Sequence, residues 1–158
     1  MLAEEYDYAG GIFLLGRSLG GAVAVEALTD EAKSIVDGII LENTFTSIPD
    51  MVDHIFSVVR YVKGLVLRIG WHTADLVPEI ETPMLFVAGK QDEIVPYEHT
   101  IKLYDMATKA RFKDILVVET GTHNDTWHVA LNEYLNKLKT FMDRANSEMA
   151  RHRREEQK

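Results

Sequence analysis

A serine stands between glycines in the segment GRSLG at residues 16–20, a spacing that suits nucleophilic catalysis. The apolar run IFLLG (12–16) leads into it, and a stretch rich in glycine and alanine follows it. In a G-x-S-x-G turn from strand to helix, the serine takes a strained backbone conformation that exposes its hydroxyl, and the glycines prevent side-chain clashes. We therefore predict that Ser18 is a nucleophile and that the Leu19 N–H forms part of an oxyanion hole. The alternative is a glycine-rich turn with a passive serine.

A serine hydroxyl becomes a good nucleophile only when a base takes its proton, and the base needs a carboxylate that orients it. Asp92 follows the apolar run MLFVAG (84–89), and His123 follows the run DILVVE (114–119). The carboxyl ends of parallel strands meet at one edge of a sheet, so both side chains are expected at the same edge as Ser18. The sequence therefore predicts that Ser18, His123 and Asp92 form a catalytic triad.

Other acidic residues and histidines fit these roles less well. Glu93 adjoins Asp92 but is expected to point elsewhere from the same turn. Asp75 precedes a predicted strand, which puts it at the wrong end of the sheet. The remaining histidines lie on helical or lid-like segments or in the tail, and they are His54, His72, His99, His128 and His152.

The elements around these residues alternate between strands and helices. The runs at 12–16, 38–43, 84–89 and 114–119 are nearly continuous in apolar residues, which is typical of parallel strands covered on both faces. Helical patterns run from Leu19 to about Thr29, from Tyr97 to Ala107 and from Asn124 to about Ala145. This alternation predicts the α/β class, with an open, mostly parallel sheet of about four strands and flanking helices.

One domain is expected over residues 1–145, with a helical lid-like insertion at about 44–83. Within that insertion, apolar residues between 55 and 69 follow the helical period. Such a helix could pack on the sheet, line an acyl pocket as a short lid, or bind a membrane surface. Residues 146–158 form a charged tail, which we expect to be a frayed helix end or disordered.

The composition excludes several other classes of protein. A net charge of −8 over 158 residues disfavours nucleic-acid binding. The chain has no cysteine, which removes disulfides, thiolate metal sites and cysteine nucleophiles. Its acidic start lacks the cationic region of a signal peptide, and three cations interrupt the longest apolar stretch, at 55–71. As given, the chain is expected to be soluble, and its compartment stays open.

Four segments together resemble a known family, namely GRSLGGAVA, LENTFTSIPDM, FVAGKQDEIVP and GTHNDTW. They are similar to the α/β-hydrolase superfamily, and in particular to the α/β-hydrolase domain-containing protein 13 (Bem-type) branch, from about Ile12 to Ala145. By this resemblance Ser18, Asp92 and His123 match the charge-relay positions. The resemblance implies hydrolysis of an ester, thioester or similar acyl bond. It also implies an N-terminal membrane anchor, which is absent here and would make a full-length protein membrane-associated.

The chain differs from that family at its start, because only the last four of the eight expected strands can be identified. An oxyanion hole normally takes a second N–H from the loop after the third strand, and the sequence contains no HG dipeptide of the usual motif. Losing one such donor lowers turnover by about 10²–10³. The run at 12–16 would also become an apolar edge strand, so we expect self-association near Ile12.

These observations predict a serine hydrolase that needs no metal or organic cofactor. Its expected substrate is a small-molecule or lipid-like acyl compound, and its activity is expected to be weak if the preceding strands are absent. One alternative is a catalytically silent relative that acts through protein interaction. Another is a serine peptidase that uses the same triad.

Overall fold

In the part of the chain that the structure describes, four parallel strands form one sheet. The structure is a computed structural model, and it describes residues 10–28, 30–47 and 73–156. Every neighbouring pair of strands is parallel, and the order across the sheet is the order along the chain. The strands are β1 (Ile12–Arg17), β2 (Val36–Glu42), β3 (Met84–Gly89) and β4 (Lys113–Val118). The predicted α/β class and open parallel sheet are confirmed.

Helices connect and cover these strands. They are α1 (Leu19–Glu26), α2 (Asp30–Ile35), α3 (Thr73–Leu76), α4 (Glu98–Met106), α5 (Thr126–Val129) and α6 (Leu131–Glu156). Helix α1 ends earlier than the sequence pattern indicates, and the unpredicted α2 leads directly into β2. As a result β2 begins at Val36, two positions before the predicted run.

Alternate residues of the central strands face two separate cores. On one face Ile39 and Leu41 pack with apolar residues of α1 and with Phe86 of β3. On the other face Ile40 packs with Phe141 of α6. Strands β2 and β3 are buried along their whole length. This is why their sequences read as continuous apolar runs rather than as alternating patterns.

Strand β1 differs from the central strands because it lies at an edge of the described sheet. It pairs with β2 alone, from Phe13 opposite Gly38 to Arg17 opposite Glu42. The side chain of Leu15 in this strand is 54% exposed. An apolar residue exposed on an edge strand is a feature that can favour pairing with another chain.

The last helical segment extends further than the sequence analysis indicates. The pattern predicts one helix from Asn124 to about Ala145, whereas the structure breaks it at Ala130, with φ −123° and ψ 38°, into α5 and α6. Helix α6 then continues to Glu156, through a region predicted to be frayed or disordered. Met149 is buried, so an apolar anchor lies beyond the predicted end and favours continued helix.

The proposed lid lies largely outside the described residues. The helix predicted between 55 and 69 falls there entirely, together with most of the connection at 44–83. Among residues 10–28, 30–47 and 73–156, no helix combines the length and the apolar character that crossing a bilayer requires. The division into one domain and a tail stays a prediction.

Candidate active site

Ser18 occupies a sharp turn between β1 and α1. Its backbone has φ 53° and ψ −124°, a conformation that residues other than glycine rarely adopt. Such a conformation typically costs about 1–3 kcal/mol and persists only where the surroundings enforce it. Here the Ser18 N–H donates to the carbonyl of Glu42 at 2.9 Å, and the Thr44 hydroxyl donates to the Ser18 carbonyl at 2.7 Å. The turn is therefore held against the end of β2.

Glycines make this turn sterically feasible, although not the pair that the motif suggests. A Cβ at Gly16 would lie 2.7 Å from the Cα of Gly21 and would also collide with the carbonyl of Gly20. A Cβ at Gly21 would collide with the side chain of Thr44, whereas one at Gly20 would meet nothing within 4 Å. The first glycine of G-x-S-x-G is thus required for packing. The second close approach is at Gly21, one position after the motif.

Asp92 and His123 form a buried pair across the ends of β3 and β4. The Nδ1 atom of His123 lies 2.7 Å from Oδ2 of Asp92, and the two side chains are 8% and 1% exposed. The other carboxylate oxygen, Oδ1, accepts the N–H groups of Ile94 at 2.8 Å and Val95 at 2.7 Å. These bonds fix the carboxylate so that it accepts the Nδ1 proton of the imidazole, which leaves Nε2 free to act as a base.

Glu93 takes part in the site in a way the sequence analysis did not anticipate. Its Oε2 accepts the backbone N–H of His123 at 3.2 Å. The adjacent carboxylates of Asp92 and Glu93 therefore bind the ring and the main chain of the same histidine. A DE pair directly after a strand is the signal that could have suggested this arrangement.

Two further residues missed in the sequence, Asn43 and Thr44, follow β2 and touch both halves of the site. Thr44 binds the Ser18 carbonyl, as described above, and the Asn43 side chain donates to the carbonyl of His123 at 3.1 Å. Consecutive residues thus connect the serine turn to the histidine loop. Among the described residues, the hydroxyl of Ser18 itself forms no hydrogen bond with the imidazole. Such bonds often tighten only when substrate is bound.

The loop that carries His123 is also braced from within. Oδ1 of Asp125 accepts the N–H of Thr122 at 2.7 Å and its hydroxyl at 2.8 Å. These hydrogen bonds hold the pKa of Asp125 below its ordinary value. The loop is therefore shaped by a local turn as well as by contacts with its neighbours.

Two of the remaining candidates, His99 and Asp75, lie in other elements, α4 and α3. Nδ1 of His99 lies 2.9 Å from the hydroxyl of Thr46, and Asp75 belongs to α3, which precedes β3. His54 and His72 lie outside the described residues. In the part of the chain that the structure describes, no cluster of histidine and carboxylate side chains could hold a metal ion.

Comparison with known proteins identifies relatives of this chain. The sequence matches no known protein-family model. It is 41% identical over 129 residues to α/β hydrolase domain-containing protein WAV2 of Arabidopsis thaliana, covering 73% of this chain and 41% of the relative. It is 37% identical over 116 residues to protein bem46 of Schizosaccharomyces pombe, covering 73% and 38%. The chain is an α/β-hydrolase homologue. The resemblance to the Bem-type branch is confirmed.

A third relative of this α/β-hydrolase homologue has a named activity. The lysophosphatidylserine lipase ABHD12 of Macaca fascicularis is 31% identical over 128 residues, covering 72% of this chain and 32% of the relative. The chain spans about two fifths of the length of WAV2 and bem46. It therefore corresponds to part of such proteins.

Solved structures support the same fold. Est1E from Butyrivibrio proteoclasticus superimposes with a TM-score of 0.71 at 21% identity, covering 91% of this chain and 65% of that one. An acylaminoacyl peptidase from Pyrococcus horikoshii gives 0.65 at 16% identity, covering 90% and 24%. At these identities the similarity establishes the fold of the α/β-hydrolase homologue and nothing about its substrate.

Proposed function

We propose that this chain carries the catalytic residues of a serine hydrolase that cleaves an ester or thioester acyl bond. Ser18 is the nucleophile, His123 the general base and Asp92 the residue that orients the base. The observation that carries the proposal is the 2.7 Å contact between His123 Nδ1 and the buried carboxylate of Asp92, at the same sheet edge as the strained turn at Ser18. A hydrolase is also the class to which the named relatives belong.

The reaction would proceed through an acyl-enzyme. Nε2 of His123 takes the proton of Ser18 Oγ while Oγ attacks the acyl carbonyl, and the carbonyl oxygen becomes an oxyanion. The bond to the leaving group then breaks, and the histidine gives its proton to the departing oxygen or sulfur. Water activated by the same nitrogen hydrolyses the Ser18 ester and restores the hydroxyl.

The backbone N–H of Leu19 is the proposed donor to the oxyanion. Leu19 is the first residue of α1, and the N–H groups of a first helical turn have no acceptor within the helix. The positive end of the helix dipole adds to the stabilisation of the negative oxygen.

We propose an apolar acyl group as the substrate class. The side chain of Leu19 is 42% exposed next to the nucleophile, and that of Trp127 is 44% exposed four positions after His123. Neither position carries a cation that would select a charged acyl chain. The name of the relative ABHD12, a lysophosphatidylserine lipase, is consistent with a lipid-like substrate.

Labelling with a fluorophosphonate probe tests the proposal. Such a probe forms a covalent bond to an activated serine and releases fluoride. We expect labelling of the wild type, no labelling of Ser18→Ala, and strongly reduced labelling of His123→Ala. Labelling that persists in Ser18→Ala would exclude Ser18 as the nucleophile. A matched series of p-nitrophenyl esters and p-nitroanilides then separates an esterase from a peptidase.

A catalytically silent protein that acts through interaction is the second candidate, and the exposed edge of β1 favours it. In that case the wild type would resist the probe and still self-associate through the strand near Ile12. Leu15→Lys would place a charge on this edge and reduce the association seen by size-exclusion chromatography with light scattering. A monomeric wild type at all concentrations would contradict this second candidate.

A further inference from the structure

Asn43 adopts an unusual backbone conformation at the end of β2. Among the described non-glycine residues, it and Ser18 are the two with positive φ, and its φ is 46°. Asparagine tolerates the left-handed region better than most residues, but glycine would adopt it with less strain. The backbone alone therefore does not explain an asparagine here, and its side chain is the part that requires explanation.

The Asn43 amide is buried and uses both of its ends. Its Oδ1 accepts the N–H of Gly89 at 2.8 Å. Its Nδ2 lies 3.1 Å from the carbonyl of His123, 3.3 Å from that of Thr122 and 3.1 Å from the hydroxyl of Thr126. The Thr126 hydroxyl donates its own proton to the Thr122 carbonyl at 2.6 Å, so its oxygen is free to accept from Asn43. These partners fix which end of the amide is oxygen and which is nitrogen.

These contacts span the sheet in a way that ordinary strand pairing does not. Strands β2 and β4 are not neighbours, because β3 lies between them. The Asn43 side chain passes over the end of β3 and reaches the loop after β4. Glycine at the end of β3 makes this passage possible, since a Cβ at Gly89 would come within 2.5 Å of the Gly121 carbonyl and would collide with Thr126.

The acid and the base thus share an external support. The loop that carries Asp92, the acid loop, begins at Gly89, and the Gly89 N–H donates to Asn43. In the loop that carries His123, the base loop, the His123 carbonyl accepts a hydrogen bond from Asn43. The Asp92 contact fixes the imidazole ring, whereas the main chain of His123 is held by Glu93 at its N–H and by Asn43 at its carbonyl. A displacement of about 1 Å at such a position can lower a rate about 10²-fold.

We infer that Asn43 is a positioning residue that sets the height of His123 above the end of β3, so that the imidazole faces the Ser18 hydroxyl. The inference rests on the proposed function for its effect on rate. Thr44, the next residue, holds the Ser18 carbonyl. Asn43 and Thr44 therefore position the base and the nucleophile relative to the same end of β2.

Three variants of the protein test the inference. Asn43→Gly accepts the left-handed backbone and removes every side-chain contact. Asn43→Asp keeps the oxygen that accepts from Gly89 but sets a second oxygen against the carbonyls of Thr122 and His123. Ile39→Val removes one methylene from the buried part of the same strand and serves as a control for a general loss of stability.

Two readouts are needed, and one of them does not depend on catalysis. We expect Asn43→Gly to react with the fluorophosphonate about 10-fold to 10²-fold more slowly than the wild type, and Asn43→Asp to be at least as slow. Amide hydrogen exchange at residues 121–125 should rise about 10-fold or more in both variants. Ile39→Val should leave both quantities near their wild-type values.

The outcomes separate the inference from the proposed function. Unchanged exchange at residues 121–125 in Asn43→Gly would overturn the inference whatever the protein's reactivity. Faster exchange with an unchanged labelling rate would overturn the role in positioning. A wild type that resists labelling would overturn the proposed function. Amide hydrogen exchange at residues 121–125 would still decide whether Asn43 holds the base loop in place.

Discussion

The serine turn and the histidine loop are built by different means. The turn at Ser18 is made possible by glycines close to it in sequence, because Gly16 and Gly21 admit the close approach of strand and helix. Its distant partners, Glu42 and Thr44, both lie at the end of the neighbouring strand β2. The loop at His123 has partners after two different strands, since Glu93 and Asn43 lie 30 and 80 positions away. The serine turn thus needs two neighbouring strands, whereas the base loop needs three strands to be assembled.

This difference has a consequence for stability. The contacts of the base loop form together with the sheet, so partial opening of β4 would displace His123 while leaving the serine turn, which rests on β1 and β2, largely intact. Substitutions distant from the reacting atoms should therefore lower activity more when they act on the base loop than when they act on the serine turn.

Asp92→Asn should have the largest effect, and it acts on the base loop. The asparagine keeps an oxygen for the N–H groups of Ile94 and Val95 but presents an NH₂ group to His123. The imidazole must then accept at Nδ1 and carry its proton on Nε2, where it can no longer take the proton of Ser18. We expect hydrolysis or probe labelling to fall about 10⁴-fold with little change in Tm. A loss below tenfold would contradict the assigned role.

Gly16→Ala should have the next largest effect, and it acts on the serine turn. The added methyl group meets the backbone at Gly20 and Gly21, which cannot move aside as a flexible side chain could. We expect a loss of about 3 kcal/mol or more in the free energy of unfolding. Urea denaturation followed by circular dichroism measures this loss.

Gly20→Ala is the matched control for that experiment. A methyl group there would enter open space and would replace a glycine inside a helix, which favours the folded state by up to about 1 kcal/mol. If Gly16→Ala and Gly20→Ala destabilise the protein equally, the loss at Gly16 does not come from a steric collision with the backbone.

The sequence was enough to propose the three candidate residues but not the contacts that support them. Ser18 was proposed because strand, glycine, serine and helix follow one another directly. Asp92 and His123 followed from their places after apolar runs. Asn43 gave no such signal, because its partners Gly89 and Thr126 come together only through the order of the strands. Glu93 gave only the signal of an acidic pair after a strand, and its partner, a backbone N–H, cannot be identified from residue types.

The fold shows the same division between local and distant information. The four strands were predicted to within two residues at each end, since each contains a run rich in apolar residues, and β2 and β3 are buried along their whole length. The end of α6 was predicted too early, because its charged sequence conceals the burial of Met149.

Glu93→Gln should have a smaller effect, also on the base loop. Glutamine keeps an oxygen that can accept the His123 N–H but removes the negative charge, and hydrogen bonds to charged acceptors are about twice as strong as neutral ones. We expect a fall in labelling rate of about fivefold or less and no change in Tm. Glu98→Gln, which removes a charge from exposed α4, is the matched control, and an equal fall there would assign the effect to general electrostatics.

Asp125→Asn should have the smallest effect and should appear only as a dependence on pH. Hydrogen bonds from Thr122 lower the pKa of Asp125 below its ordinary value. A carboxylate with a lowered pKa in the folded state stabilises the protein above the unfolded value and loses that contribution as pH falls through the folded value. The Tm of the wild type should therefore exceed that of Asp125→Asn above about pH 4, and the two should converge as the pH falls below it. If the difference in Tm between the two proteins instead widens as the pH falls, the charge of Asp125 does not stabilise the loop that carries His123.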